Sequence, residues 1–379
     1  MKFNNLDKSK IWLSSPHMGG KEQDFVNEAF VTNWIAPLGP NVTEFENAIS
    51  NFYSDEVYAA CLSSGTAAIH LALILLGVKR GDEVLCQSFT FSASANPIAY
   101  QGATPVFVDS ERETWNMCPE LLEEAIKSRM KSGKKPAAII AVHLYGMPYQ
   151  ADEIQAISEK YNIPVIEDSA EALGSTYKGR KCGAMGDLGI LSFNGNKIIT
   201  TSGGGALVSK NPEFKSRAIH LATQARDDAP HYQHSVIGYN YRMSNVVAGI
   251  GRGQMLVLAD RVASRRKNFE FYKASLAEFS EISFLEESEG IKSNHWLTTI
   301  LTGSFDAREK IRLALASENI ESRPLWKPMH LQPVFSDCPM FTNGVSEDLF
   351  NRGLCLPSGS DLTESQLERV VGIIQKSIS

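Results

Sequence analysis

A lysine after a short polar turn is the first residue of this sequence that could perform covalent chemistry. Lys197 follows residues 194–196, which separate an apolar run at 188–193 from a β-branched run at 198–201. We interpret both runs as buried strands, so the stem of Lys197 is expected in apolar surroundings. Burial disfavours an ammonium, and a neutral amine is the form that attacks carbonyl carbons. The alternative is a hairpin-tip lysine in water.

An anion site is predicted at the start of a helix. A short apolar strand at residues 57–62 is followed by the turn 63–66, of sequence SSGT, and then by a helix over residues 67–76. This arrangement directs free backbone N–H groups and the positive end of the helix dipole toward a bound anion. The alternative is that Ser64 or Thr66 only caps the helix.

A carboxylate at a strand end completes the set. Asp168 follows a predicted apolar strand at residues 164–166, where a carboxylate is costly unless a cation pairs with it. A protonated pyridine nitrogen is such a cation; the alternative is a cap for the following helix. With an imine-forming lysine and an anion cradle, the carboxylate predicts a site for pyridoxal 5'-phosphate (PLP). Ser192 would join the cradle, and Phe91 would lie flat on the cofactor ring.

The elements that must position these residues alternate between strands and helices. The apolar strands are predicted at residues 57–62, 83–86, 104–108, 137–142 and 164–166. Such strands, separated by amphipathic helices, form a mostly parallel sheet that is covered on both faces and binds ligands beyond its carboxyl ends. Three glycines at 203–205 are interpreted as a place of close backbone packing.

The C-terminal third of the chain has a different pattern. A single long helix is predicted from Ser244 past Tyr272, as a connector, and shorter strands alternate with helices after residue 282. We therefore predict a large PLP-binding domain with an N-terminal arm over residues 1–255. A smaller α+β domain is predicted over residues 256–379.

The composition is typical of a globular protein without a nucleic-acid surface. The 379 residues are 43% hydrophobic and 21% charged, with a net charge of −6 and no block of Lys and Arg. The N-terminus lacks an apolar signal region, and the apolar stretch 67–78 is too short to span a membrane. Six scattered cysteines contain no CxxC pair. We expect a reduced, cytoplasmic protein with neither a disulfide framework nor a metal site.

Several longer motifs, in order along the chain, resemble a known family. They are SSGTAAIHLAL, GDEVLCQSFTFSASANPI, GATPVFVD, VHLYG, PVIEDSAEALGS, SFNGNKIITTSGGGALVS and GYNYRMSN. Over nearly its whole length the chain is similar to the DegT/StrS group of PLP-dependent sugar aminotransferases. The resemblance implies a fold-type I α/β transferase. Its large domain would hold a mostly parallel seven-stranded sheet between helices, and its C-terminal α+β domain would be smaller.

The resemblance also implies roles for individual residues. Lys197 and Asp168 would be catalytic: Lys197 would hold PLP as an imine and shuttle a proton, and Asp168 would keep the ring nitrogen protonated. The implied cofactor-binding residues are Gly65, Thr66, Ala67, Phe91, Asp168, Glu171, Ser192, Asn194, Lys197 and, from the second subunit of a homodimer, Asn240. The implied substrate residues are Trp34, Arg242, Trp296, Arg323 and His330. Glu171 and Asn194 depart from the His, Gln or ring side chains that many relatives carry there.

The motifs around Lys197 and Arg323 look most like the subgroup that aminates C4 of UDP-linked 4-keto-6-deoxy-N-acetylglucosamine. The implied reaction is ping-pong transamination, in which L-glutamate gives its amino group and leaves as 2-oxoglutarate before the sugar ketone is aminated. A 3-keto-sugar nucleotide aminotransferase is the nearest alternative enzyme. A non-catalytic regulator that retains the fold is the alternative from another class, and it would form no lysine–PLP imine. The expected partners are a nucleotide sugar, L-glutamate and a second copy of the chain, without nucleic acid or membrane.

Overall fold

The computed structural model describes residues 9–53 and 56–378. Residues 1–8 of the predicted N-terminal arm, where no signal is expected, lie outside the described residues, as do residues 54, 55 and 379. The helices are α1 (Glu22–Val31), α2 (Pro40–Tyr53), α3 (Gly65–Leu75), α4 (Asn96–Tyr100), α5 (Pro119–Lys131), α6 (Ala151–Tyr161), α7 (Pro212–Ala222), α8 (Asn245–Met255), α9 (Leu258–Ser275), α10 (Phe305–Ser317), α11 (Val345–Arg352) and α12 (Glu364–Ile378). The strands are β1 (Tyr58–Leu62), β2 (Glu83–Gln87), β3 (Thr104–Val108), β4 (Ala138–Val142), β5 (Val165–Asp168), β6 (Thr176–Tyr177), β7 (Arg180–Lys181), β8 (Leu188–Ser192), β9 (Gly205–Ser209), β10 (Ser283–Phe284), β11 (Ile291–Lys292), β12 (Thr298–Leu301), β13 (Arg323–Pro324), β14 (Met340–Phe341) and β15 (Gly353–Leu356).

A central sheet of eight strands, counted within the described residues, confirms the predicted α/β class. Its order is β1-β9-β8-β5-β4-β2-β3-β14. The strands from β8 to β14 pair in parallel, whereas β9 runs antiparallel to both β1 and β8. Every residue of β2 and β4 is buried, because helices cover both faces and leave no solvated side. The prediction of seven strands is one short of the eight observed, because the two-residue strand β14, from the C-terminal segment, pairs with the edge strand β3.

Two predicted elements are wrong. Residues 198–201 form no strand, because the N–H groups of Phe193 and Thr201 donate to the carbonyl groups of Gly204 and Phe193 and close residues 194–203 into a loop. The long helix predicted from Ser244 past Tyr272 is two helices, α8 and α9, separated at residues 256 and 257. Neither residue at the break is Pro or Gly, so nothing in the local sequence marks it.

A second sheet, of order β10-β12-β15-β13, lies in the C-terminal segment with α9, α10 and α12. Ile11 of the N-terminal arm joins its core and forms a parallel bridge to Ile320. The break between α8 and α9 falls at the predicted domain boundary, although β14 shows that the C-terminal segment also extends the central sheet. The division at residue 255 therefore stays a prediction.

The carboxyl ends of several strands meet at one edge of the central sheet. Gly205, the first residue of β9, pairs with Leu62 at the end of β1 and with Ser192 at the end of β8. Asp168, the last residue of β5, pairs with Val142 and is followed across the sheet by β8. This edge is where an open α/β sheet binds its ligand.

Candidate active site

A cavity of about 460 Å³ opens at this edge, within the size range of small-molecule sites. The predicted residues that line it are Gly65, Thr66, Phe91, Asp168, Glu171, Ser192, Asn194, Lys197 and Trp296. They come from the ends of β5 and β8, from the start of α3 and from loops. The structure therefore brings together most of the residues predicted to bind the cofactor.

Asp168 presents a buried carboxylate to the cavity. The side chain is 4% exposed, and its Oδ2 accepts a hydrogen bond from Ser94 Oγ at 2.6 Å. Its Oδ1 accepts from the Ala170 N–H at 3.1 Å within a turn at residues 170–174. No helix begins there in the described residues, so the alternative of a helix cap is wrong. None of its hydrogen bonds within the described residues comes from a cationic side chain. A buried carboxylate with neutral partners fits a cation from a ligand, such as a protonated pyridine nitrogen.

The start of α3 forms an anion cradle. Ser64 caps the helix by accepting the Ala67 N–H at 3.0 Å, so Ala67 does not offer this group to a ligand, contrary to the prediction. The N–H groups of Gly65 and Thr66 have no protein acceptor in the part of the chain that the structure describes. Together with the hydroxyl of Ser192 they are suited to bind a phosphate.

Glycine at position 205 brings the end of β8 against this helix start. A Cβ at Gly205 would lie 2.4 Å from the Gly65 nitrogen, and a Cβ at Gly204 would lie 2.3 Å from Thr201 Oγ1. Both positions therefore exclude larger residues. The predicted role of residues 203–205 in close backbone packing holds for these two glycines, whereas Gly203 has open space around it.

Lys197 projects between an indole and a carboxylate. Its Nζ lies 4.1 Å from the centre of the Trp296 ring and 3.5 Å from Glu171 Oε1. The Lys197 N–H donates to Asn194 O at 3.0 Å, which closes the turn that carries the side chain. The side chain is 12% exposed, so the predicted apolar setting is present, although the second predicted strand is not.

Glu171 is the buried partner of this lysine. Its Oε2 accepts the Tyr145 N–H at 2.7 Å. Burial raises the pKa of Glu171, while the charge of Lys197 and the Tyr145 hydrogen bond act in the opposite direction. The Glu171 carboxyl group is thus easier to protonate than an exposed glutamate, beside the amine that is predicted to do the chemistry.

Besides Ala67, five predicted residues do not line the cavity of this chain: Trp34, Asn240, Arg242, Arg323 and His330. Arg242 Nη1 donates to Glu46 Oε1 at 2.5 Å and to Cys61 O at 2.8 Å, which anchors the end of β1. Trp34 is 41% exposed in the loop between α1 and α2, and Asn240 is also exposed. Exposure leaves both of them accessible to a second subunit.

His330 and Arg323 lie in the C-terminal segment with partners of their own. His330 is buried, its Nδ1 hydrogen-bonds Ser88 Oγ at 2.6 Å, and its Nε2 lies 3.1 Å from Glu347 Oε1. Arg323 forms an ion pair with Glu321 at 2.9 Å and its side chain is 63% exposed. This chain by itself therefore does not support a sugar contact by His330, and the role of Arg323 stays a prediction.

The sequence did not indicate Thr90, Ser94 and Trp326, which also line the cavity. Ser94 holds Asp168 and in turn hydrogen-bonds Thr90 Oγ1 at 2.8 Å. Trp326 faces Phe91, with ring centres 5.9 Å apart, and the backbone N–H of Trp326 donates to the Tyr145 hydroxyl at 2.8 Å. No local pattern in the sequence indicates which side chain of the loop around Trp326 reaches the cavity.

A separate buried group consists of His143, Glu167 and Cys182. His143 Nε2 hydrogen-bonds Glu167 Oε1 at 2.8 Å, and the Glu167 carboxylate also accepts N–H groups of Gly183, Met185 and Gly186. Hydrogen bonds therefore account for this carboxylate without an ion. His143 Nδ1 is likewise used, by an N–H of the following loop.

The site fits PLP at three points. Among residues 9–53 and 56–378, no cationic side chain hydrogen-bonds the buried Asp168 carboxylate, which suits the pyridine nitrogen, and two N–H groups at a helix start are free for the phosphate. A lysine amine faces the same cavity. These groups are the protein side of a PLP site. The fold and the site define a PLP-dependent enzyme of fold type I.

The chain belongs to the DegT/DnrJ/EryC1/StrS aminotransferase family, whose match covers residues 16–375. EpsN of Bacillus subtilis, assigned as a pyridoxal phosphate-dependent aminotransferase, is 52% identical over 369 residues, covering 96% of this chain and 95% of EpsN. GDP-perosamine synthase of Escherichia coli O157:H7 is 39% identical over 357 residues, covering 94% and 95%. The structure of Spr1654 from Streptococcus pneumoniae, assigned as a sugar aminotransferase and solved in its PMP form, has a TM-score of 0.90 and 27% identity, covering 97% of this chain and 98% of that chain.

These relatives confirm the predicted class and cofactor. The chain is a PLP-dependent sugar aminotransferase, and the family implies a sugar-nucleotide substrate and an amino donor. None of the helices in residues 9–53 and 56–378 combines the length and apolarity that a membrane crossing requires.

Proposed function

We propose that this enzyme transfers the amino group of L-glutamate to C4 of a nucleotide-linked 4-keto-6-deoxy sugar, UDP-2-acetamido-4-keto-2,6-dideoxyhexose. The main support is the single cavity that joins Lys197, Asp168 and the start of α3. The name of the GDP-perosamine synthase relative supports a nucleotide-linked sugar as the acceptor. The choice of a UDP-linked acetamido sugar follows from the motifs around Lys197 and Arg323.

Lys197 moves the proton in both halves of the proposed reaction. Bound PLP supplies the carbon that carries the amino group and an electron sink for the negative charge that deprotonation creates. Lys197 Nζ takes the proton from the α-carbon of glutamate and later delivers a proton to C4 of the sugar. The Trp296 face at 4.1 Å stabilises the ammonium form that arises in between.

Asp168 and the cradle hold the cofactor in this proposal. The Asp168 carboxylate keeps a proton on the pyridine nitrogen, and the Ser94 hydroxyl fixes the orientation of that carboxylate. The N–H groups of Gly65 and Thr66, with the Ser192 hydroxyl, bind the phosphate. Each group acts from a strand end or a helix start, so regular backbone hydrogen bonding positions the groups that would hold the cofactor.

The site is proposed to be completed in a homodimer. Asn240 of the partner subunit would reach the phosphate, which is consistent with the exposure of Asn240 and its absence from this chain's own cavity wall. The loop between α1 and α2 exposes Trp34, Ile35 and Leu38, and burial of such apolar side chains favours association. Analytical ultracentrifugation of the holoenzyme tests this, and a monomer with full activity would contradict it.

The test of the substrate is a panel of keto-sugar nucleotides with L-glutamate and the purified holoenzyme. The panel contains 4-keto-6-deoxy and 3-keto-6-deoxy sugars on UDP, GDP and dTDP, and mass spectrometry detects the amine product and 2-oxoglutarate. We expect the highest kcat/KM with the UDP-linked 4-keto acetamido sugar. Preferential amination of a 3-keto sugar, or of a GDP-linked or dTDP-linked sugar, would overturn the proposed substrate.

A further inference from the structure

Four residues from four separate segments form a closed ring of hydrogen bonds next to Lys197. Arg265 of α9 donates from Nη1 to Trp296 O at 2.5 Å and from Nη2 to Ser14 Oγ at 2.9 Å. Ser14 Oγ donates to Asn196 O at 2.7 Å, and Trp296 Nε1 donates to the same oxygen at 2.7 Å. The ring joins the N-terminal arm, the turn before Lys197, the segment after β11 and helix α9.

The cation in this ring is buried among neutral acceptors. Arg265 is 1% exposed, and its Nε has no partner among the described residues. Burial lowers the pKa of Arg265 to about 10, while Asp361 acts in the opposite direction from a distance. Burying a guanidinium is costly unless its donors are used. Nη1 and Nη2 of Arg265 donate to Trp296 O and Ser14 Oγ, and the planar guanidinium keeps these two donors in a fixed geometry.

The ring holds the peptide that precedes Lys197 and the indole that lies beside its amine. Asn196 O belongs to the peptide that precedes Lys197, so the backbone of the lysine is held at that point. The Trp296 ring lies under Lys197 Nζ at 4.1 Å. The backbone N–H of Trp296 donates to Asn294 Oδ1 at 2.8 Å, and the Asn294 side-chain amide donates to the Glu171 backbone carbonyl at 3.0 Å. The Trp296 backbone is thus held at its carbonyl by Arg265 and at its N–H, through Asn294, by the Glu171 carbonyl. The indole itself is held by the bond from its Nε1 to Asn196 O.

We propose that Arg265 is a positioning residue that aligns Lys197 for proton transfer, acting through Trp296 and Ser14. The inference rests on the proposed role of Lys197 as the amine that moves the proton. It assigns a catalytic consequence to a residue of α9 that touches neither the cavity nor Lys197. Proton transfer depends steeply on alignment, and a misplacement of roughly 1 Å can cost about 100-fold in rate.

The test compares Arg265→Lys and Ser14→Ala with a matched control, Arg261→Lys. Arg261 lies one turn earlier on α9, is also buried, and donates to the carbonyl groups of His17 and Met18 without joining the ring. Each holoenzyme is assayed for the single-turnover rate and KM with glutamate, for the pH dependence of its lysine–PLP imine absorbance, and for thermal unfolding. Ser14→Ala removes one hydroxyl and keeps the experiment decisive if Arg265→Lys fails to fold.

We expect Arg265→Lys to lower the glutamate half-reaction rate about 10-fold and Ser14→Ala about 3-fold, with KM changed less than about twofold. Both variants should move the pH midpoint of the imine band. Arg261→Lys should keep its rate within about twofold of the wild-type rate and should leave the pH midpoint of the band unshifted, at a melting temperature similar to that of the other variants. Equal rate losses in the Arg265 and Arg261 variants, or wild-type rates in Arg265→Lys and Ser14→Ala, would overturn the inference.

Borohydride reduction separates this failure from failure of the proposed function. In the wild type it should fix the cofactor on Lys197, as detected by peptide mass spectrometry. If the wild type shows no such link, both the proposed role of Lys197 and the inference about Arg265 fail. If the link and amine transfer are present but the ring variants match the control, only the inference fails.

Discussion

Two walls of the cavity are built in different ways. The strand wall consists of Ser64, Thr66, Asp168 and Ser192, which lie at strand ends or at the start of α3. The loop wall consists of Phe91, Asn194, Lys197, Trp296 and Trp326, which lie on connecting segments. Pairing of neighbouring strands places the strand wall, whereas long-range hydrogen bonds place the loop wall. The groups proposed to bind the cofactor phosphate and ring nitrogen are therefore placed by the sheet, whereas the proposed reactive amine of Lys197 is placed by packing between distant segments.

The largest expected effect is at Lys197, the loop-wall residue that is proposed to act on the cofactor bound by the strand wall. Lys197→Ala should lower kcat by about 10⁴-fold or more, because both the imine and the proton carrier are removed. The measurements are kcat with the best keto-sugar nucleotide and the absorbance of the lysine–PLP imine. Lys127→Ala is the control, since Lys127 pairs with Glu123 on the surface of α5. An imine band that persists in Lys197→Ala would show that another amine binds the cofactor.

Asp168 tests the strand wall alone. Asp168→Asn retains an acceptor for Ser94 but loses the charge that holds a proton on the ring nitrogen, so kcat should fall about 100- to 1000-fold. Asp187→Asn is the matched control: Asp187 precedes β8 and accepts the Val165 N–H at 2.8 Å outside the cavity. We expect a change below about threefold there. Similar losses in the two variants would mean that Asp168 serves only the local backbone.

The strand wall could be predicted from the sequence because two regularities suffice. Apolar runs indicate buried parallel strands, and parallel strands end at a common edge, so Asp168 and Ser192 had to be close. The turn before α3 could be recognised by its capping residues alone.

The loop wall could not be derived in this way, because its contacts join segments with no shared pattern. Arg265 lies on the predicted connector helix, where no sequence pattern indicates a partner, yet it is buried and donates to Trp296 O and Ser14 Oγ. His330 lies in a loop that resembles sugar-binding segments, but its ring is used by Ser88 and Glu347. Such pairings depend on how the C-terminal segment folds back, which periodicity does not encode.

Trp326 tests the loop wall without touching the cofactor chemistry. Trp326→Ala should raise KM for the nucleotide sugar about 10-fold, equivalent to about 1.4 kcal/mol, and leave the glutamate half-reaction within about twofold. Arg323→Ala is measured beside it, since Arg323 pairs with Glu321 away from this chain's cavity. We expect the smaller change there. A loss in the glutamate half-reaction of Trp326→Ala would show that the loop wall also shapes the cofactor site.

The smallest expected effect is a pH-dependent change in the stability of the folded protein at Glu171, which lines the cavity beside Lys197. Burial raises the pKa of Glu171 in the folded protein, against the pull of Lys197. The folded state therefore holds this proton to higher pH than the unfolded chain does, and stability falls as pH rises through the folded pKa. Glu171→Gln removes the ionisation, so the gain in melting temperature of the apoenzyme relative to the wild type should grow between pH 5 and pH 8.5.

Glu287 provides a control of opposite sign. Burial would raise its pKa, but hydrogen bonds from His295, Arg266 and the Ser293 N–H outweigh burial and lower the pKa to about 2. Its stabilisation is complete above the ordinary glutamate pKa and is lost only as pH falls toward 2. Glu287→Gln should therefore lower the melting temperature by the same amount across pH 5.5 to 8.5. If the difference in melting temperature between Glu171→Gln and the wild type is equally independent of pH, Glu171 is ionised throughout this range beside Lys197. Its carboxylate would then form a structural ion pair and would not titrate within the site.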